Sequence, residues 1–179
     1  LLALPPIGSG PGHAIDQGNE LLRLEPACRV EIDGSVTLTP TLVNESPSHK
    51  AVLMGIRLGN GISYHPSLTV EMVSNDPSGA GVGAVDFDYF GPMVSGRVDP
   101  WIQPLPAGSR FRWSIELQKF YSYELEARLS DSEFPIKISL RLEASEIEDI
   151  AYRRDAFKGT LRSATITVPR DCKGSIGES

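Results

Sequence analysis

Three acidic residues are the first candidates for chemistry. Asp86 and Asp88 share one face of the alternating segment Val85-Asp86-Phe87-Asp88-Tyr89, and Asp76 precedes them in a polar stretch. Carboxylate oxygens are what a hard cation such as calcium binds, so the three form a candidate metal set. Their spacing lacks the ordered ligand loop of calcium motifs, and a solvated strand face is the plainer reading. Gly79-Ala80-Gly81-Val82-Gly83 has backbone suited to cradling a phosphate. It lacks the lysine and the strand-to-helix setting that give such loops their charge and helix N-terminus, and it reads as a flexible loop.

Hydrolytic constellations fare no better. No serine lies in a Gly-x-Ser-x-Gly elbow, and His13, His49 and His65 stand in Pro- or Ser-rich surroundings without ligand spacing towards either cysteine. Glu143, Glu146, Glu148 and Asp149 lie along one segment, whereas glycoside hydrolysis needs two carboxyl groups across a cleft. The residues predict no catalytic centre and no cofactor.

Trp101 is the most informative single residue. In Asp99-Pro100-Trp101-Ile102-Gln103-Pro104 the prolines predict an irregular loop, with the ring either buried beneath it or offered to a partner. Phe90 and Met93 upstream extend this into an apolar patch, to which Tyr121 and Tyr123 add if they share the same end of the fold. These five residues form the candidate protein-binding surface.

Cys28 precedes the first clear strand pattern and Cys172 follows the last, so one intramolecular disulfide would tie the ends of the folded region together. Such a bridge persists in an oxidising compartment, which predicts an extracytoplasmic protein, periplasmic or secreted. The opening Leu1-Leu2-Ala3-Leu4 reads as a processed or truncated start: the tail of an export signal or a loose arm. Asn44-Glu45-Ser46 fits the glycosylation pattern but reads as a strand-end turn.

Composition narrows the partners. With 17 Lys+Arg against 23 Asp+Glu, a net charge of −6 leaves no basic stripe for phosphates, so nucleic acid is not an expected partner. No apolar run is long enough for a transmembrane segment. The oligomeric state is not legible.

The elements that must position these residues are strands. Val36, Leu38 and Leu42 alternate with threonines around Pro40, which predicts an edge or bulged strand. Val52, Met54, Ile56 and Leu58 form the next set, and Gly59-Asn60-Gly61 a reversal. Leu68, Val70 and Met72 follow, then Phe111, Trp113, Ile115 and Leu117, then Ile136 to Leu142 at every second position, and a last strand from about Thr160 to Val168. Residues 15–25 and 144–157 carry helical spacing and predict at most two short helices. The reading is an all-β antiparallel sandwich of about eight or nine strands: a flexible arm over 1–25, one domain over 26–172 and a tail over 173–179.

Leu105-Pro106-Ala107-Gly108-Ser109 leading into Phe111–Leu117, and Gly159-Thr160-Leu161-Arg162-Ser163-Ala164-Thr165-Ile166-Thr167-Val168, resemble strand patterns recurrent in bacterial immunoglobulin-like domains. That resemblance implies an immunoglobulin-like sandwich, and it departs from antibody domains in lacking their Cys…Trp…Cys spacing. The function expected is a non-catalytic, exported binding or accessory domain that engages a protein partner through its loops. The alternatives are a protease inhibitor of immunoglobulin-like fold, for which the Pro-Thr-Thr-Gly-type loop is absent, and a calcium- or carbohydrate-binding module.

Overall fold

Period-two alternation becomes extended chain throughout the computed structural model, which describes residues 21–61, 63–64, 67–73, 83–86, 97–120 and 136–174. In chain order the strands are β1 (Leu22–Glu25), β2 (Cys28–Val30), β3 (Val36–Leu38), β4 (Thr41–Asn44), β5 (Lys50–Leu58), β6 (Ser63–Tyr64), β7 (Leu68–Val73) and β8 (Gly83–Asp86). They continue with β9 (Val98–Leu105), β10 (Arg110–Arg112), β11 (Ile115–Glu116), β12 (Ile136–Ala144), β13 (Gly159–Arg162), β14 (Ile166–Val168) and β15 (Lys173–Gly174). One 3₁₀ turn (Leu117–Lys119) and one short helix, α1 (Ile150–Arg153), complete the described elements. The fold is all-β with antiparallel sheets, as the alternation predicts.

Six of these strands are halves of three longer lines. β1 pairs with β4 and β2 with β3 in one continuous antiparallel register, which sets Pro26 opposite Pro40. They form a non-hydrogen-bonded pair, so neither missing amide interrupts this ladder. The next pair along is closed by the Thr39 amide, which donates to the Ala27 carbonyl at 2.7 Å. β10 and β11 add to the other side of β4 and β3, again in one register, and the Trp113 amide donates to the Pro40 carbonyl at 3.2 Å. The line over 36–44 is therefore central, not the edge strand that Pro40 predicts. Its missing donor falls on the side of Trp113, where Pro40 still accepts.

A second unit pairs β5 with β9 and β6. A third centres on β12, which pairs with β7 on one side and with β13 and β14 on the other; β8 extends it beyond β7. Cross-strand apolar pairs align here: Leu68 with Leu142, Val70 with Leu140, and Met72 with Ile138. The inward faces of all three units meet in one core that includes Leu38, Leu42, Val52, Met54, Leu68, Leu105, Leu140 and Leu142. Fully burying each such side chain stabilises by about 1.5–3 kcal/mol, which is why alternation this regular specifies the faces.

Between β13 and β14 the register on β12 slips by one residue, and Ser163 repairs the ladder. Its amide donates to the Leu140 carbonyl at 2.8 Å while its Oγ accepts from the Leu140 amide at 2.8 Å. The hydroxyl stands where a backbone carbonyl would otherwise be.

Of the two segments with helical spacing, 15–25 is strand from Leu22, residues 15–20 lying outside the described residues, and 144–157 holds one short helix. Residues 22–25 are strand, with Leu22 and Leu24 buried and Arg23 and Glu25 outward; the neighbouring Leu21 disguises that alternation as a helical run. Over 144–157 only one turn is helical, α1, with Asp149 as N-cap accepting from the Ala151 amide at 2.9 Å. Ala144 still belongs to β12, and Ala156 bridges to Ala51, so extended pairing claims both ends of the segment. The described sheets thus reach from Leu22 to Gly174.

Candidate functional site

Trp101 lies within β9, not in an irregular loop. The Gly59 amide bonds to the Arg97 carbonyl at 3.0 Å, and the alternation that follows turns Trp101 towards β5 and Pro100 away from it. Pro104 faces Ala51, whose own amide and carbonyl are taken by Asp155 and Phe157, so the Pro104 nitrogen also points to the side of β9 on which no described strand pairs. Both prolines sit where a missing amide costs nothing and where it keeps another strand from adding. The punctuation that suggested a loop is edge protection.

Opposite Trp101 is Gly55, at a register shift between Leu53 and Gly55, with φ +142°. The absent side chain and the shift leave room for a large ring beside the strand. The indole is half-buried and packs against the core. Phe111 meets it edge-on, ring centroids 6.3 Å apart, and stacks in turn on Trp113 at 5.7 Å. The exposed Arg57 places its guanidinium 5.4 Å from the indole centroid, in cation–π range. The product is a row, Arg57–Trp101–Phe111–Trp113, open at the Arg57 end and closed at Trp113. Sequence reasoning found Trp101 but missed Arg57 and Phe111 as its neighbours, since β9, β5 and β10 come together only through tertiary pairing.

The other expected surface residues, Phe90, Met93, Tyr121 and Tyr123, lie outside the described residues, as do Asp76 and Asp88 of the expected metal set and the glycine-rich stretch over 79–82. Asp86 ends β8, opposite Thr69. Among the described residues no group of three His, Cys, Asp or Glu side chains is arranged to hold a metal ion.

Cys28 and Cys172 form the disulfide that the spacing suggests, with Cα atoms 4.6 Å apart. It holds β15 parallel to β2, along the edge of the first sheet. Further along that edge, β1 and β13 flank an open cleft of about 430 Å³, lined by Leu22, Leu24, Pro26, Thr160, Leu161 and Arg162 among others.

The candidate glycosylation residue has a different task. Asn44 is fully buried, and its Nδ2 donates to the carbonyls of Ser48 (2.9 Å), Leu105 (2.9 Å) and Pro106 (3.1 Å). Its Oδ1 accepts from the Ser46 amide at 3.1 Å and the Ser46 hydroxyl at 2.6 Å. It locks the turn after β4 to the end of β9, and its amide nitrogen is closed to modification in the folded state.

Charges decorate the outward faces. Arg23 contacts Glu45 at 2.5 Å and Glu25 at 3.3 Å, and Arg110 reaches across to Glu25, so their side chains cover Val43 and Thr41 on the outer side of β4. Glu71 receives Arg141 and Arg162, both at 3.4 Å, across β7, β12 and β13. A hydrogen bond from Thr37, helped by Arg29, holds Glu31 below the usual glutamate range. The Ser35 hydroxyl and amide do the same for Asp33, and Lys158 for Glu146.

No helix of the described residues is long and apolar enough to cross a membrane. Comparison with protein-family models, with curated proteins and with solved structures finds no match to this chain.

Proposed function

We propose that this chain is a non-catalytic binding or accessory domain of an oxidising, extracytoplasmic compartment, with an immunoglobulin-like sandwich that engages a protein partner. The observation that supports this most is the half-buried Trp101 with exposed Arg57 over its ring and Phe111 at its edge. Tryptophan and arginine are the residue types that dominate protein-binding hot spots, and here they are anchored on strands, so they are presented at little entropic cost. The disulfide accords with the compartment, since such bridges persist where thiols are oxidised. A sugar platform is less well supported, because Arg57 lies where a pyranose would stack.

The test is capture from periplasmic or secreted fractions of the source on immobilised, oxidised protein, comparing wild type with Trp101→Ala and Arg57→Glu. The expected result is a stoichiometric, salt-resistant complex that both variants weaken at least tenfold. Arg57 is exposed, so Arg57→Glu keeps the experiment decisive if Trp101→Ala disturbs folding. Failure to capture a partner, or capture indifferent to both changes, would overturn the proposal.

A further inference from the structure

The free edge of β10–β11 has the chemistry to pair with itself. The Ser109 carbonyl accepts from the Asn44 amide at 2.9 Å, and Trp113 donates to Pro40 at 3.2 Å, so odd-numbered residues of this line face β3 and β4. By the alternation of antiparallel ladders, the backbone N–H and C=O groups of Arg110, Arg112, Ser114 and Glu116 point the other way. All four residues are exposed, and among the described residues no strand pairs with them. Two other edges are protected: β9 by Pro100 and Pro104, and β2 by β15. The β10–β11 edge carries no proline, only charge, and that charge is polar along the strand, with Arg110 and Arg112 at one end and Glu116 at the other.

We propose that this edge is a homodimer interface, formed by antiparallel addition of β10–β11 to the same edge of a second copy about a two-fold axis. With Trp113 at the axis all four outward residues find partners. Arg110 then stands opposite Glu116 of the second copy, twice by symmetry, and Arg112 opposite its Ser114. A parallel arrangement sets Arg against Arg, as does centring the antiparallel register on Arg112; centring it on Ser114 pairs Arg112 with Glu116 but moves Arg110 opposite Gln118, past the end of β11, so the Trp113 register is the one that pairs all four outward residues without a clash. Within each chain Arg110 also meets Glu25, and Glu116 lies 3.9 Å from Lys119, so the new ion pairs extend an existing network. A single short strand edge buries less than a standard interface, so the dimer is weak and reversible.

Sedimentation equilibrium of the oxidised full chain, from micromolar to millimolar at low salt, tests this. A reversible monomer–dimer equilibrium is expected, weakened at least tenfold by Arg110→Glu or Glu116→Arg alone and restored to within about threefold by the double exchange. Amide exchange at Arg110, Arg112, Ser114 and Glu116 should slow with concentration. A monomer throughout the range, or a dimer indifferent to both single changes, would overturn the proposal. Neither change touches Trp101 or Arg57, so this result is independent of the partner test above.

Discussion

Replacing Asn44 probes how much one buried side chain contributes to joining β4 to β9. Asn44→Ala removes the donors to Ser48, Leu105 and Pro106 and the acceptor for Ser46. The Pro106 carbonyl keeps the Ser109 amide and the Ser48 carbonyl keeps the Ser46 hydroxyl, so much of the loss is shared, but the Ser46 amide is left without Oδ1. At about 1 kcal/mol for each hydrogen bond lost, with more for a buried amide left unpaired, the cost is about 3–4 kcal/mol. For a chain of this size that lowers the melting temperature by about 8–12 °C. Asn44→Asp is the sharper probe. It keeps an acceptor for Ser46 but turns a carboxylate oxygen towards three carbonyls, so at pH 7 it should be at least as damaging as alanine. The buried carboxyl is pushed to a raised pKa, and on acidification its proton can again donate, so Asn44→Asp should recover relative to Asn44→Ala between pH 7 and pH 5. Urea and thermal unfolding at both pH values measure this. A loss below about 1 kcal/mol for alanine, or no relative recovery of the aspartate in acid, would refute the hub.

Ser163→Ala leaves the Leu140 amide without its acceptor and should cost about 1–3 kcal/mol by urea unfolding, with the all-β circular dichroism spectrum retained. Cys28→Ser/Cys172→Ser, or reduction, opens a loop of 144 residues and should lower stability by up to about 5 kcal/mol on the loop-entropy account, read as a lower denaturation midpoint. Glu146 has a folded pKa lowered by Lys158, so its contribution is complete above the ordinary glutamate value and is lost as pH falls through the depressed one. The melting difference between wild type and Glu146→Gln, small because the pair is exposed, should therefore be seen at pH 7 and vanish in strong acid.

The core strands were legible because their alternation is uninterrupted. Ile136 to Leu142 and Leu68 to Met72 need no tertiary knowledge to be assigned to faces, and they pair as aligned apolar rows. The pairing of Cys28 with Cys172 was legible from their positions flanking the strand-rich region. What misled was proline. Pro100 and Pro104 looked like loop residues, and Pro40 like an edge, because a sequence does not say which side of a strand a missing amide faces. That side is decided by the partner strand, which β9 finds in β5 and the 36–44 line finds twice over. The Trp101 row was half legible for the same reason: the ring was visible, but Arg57 and Phe111 reach it from strands distant in sequence.

The disulfide also decides how the chain bears load. Tension applied to the two ends enters at Cys28 and leaves at Cys172, passing through one covalent link and leaving the 144-residue loop between them unstretched. Under pulling, β1 and β15 lie outside that link and peel first, β1 from β4 and β15 from β2, while β9 with Trp101 lies inside the link. Oxidised, the domain behaves as a short rigid rivet in a tethered chain. Reduced, the same chain becomes an extensible spring.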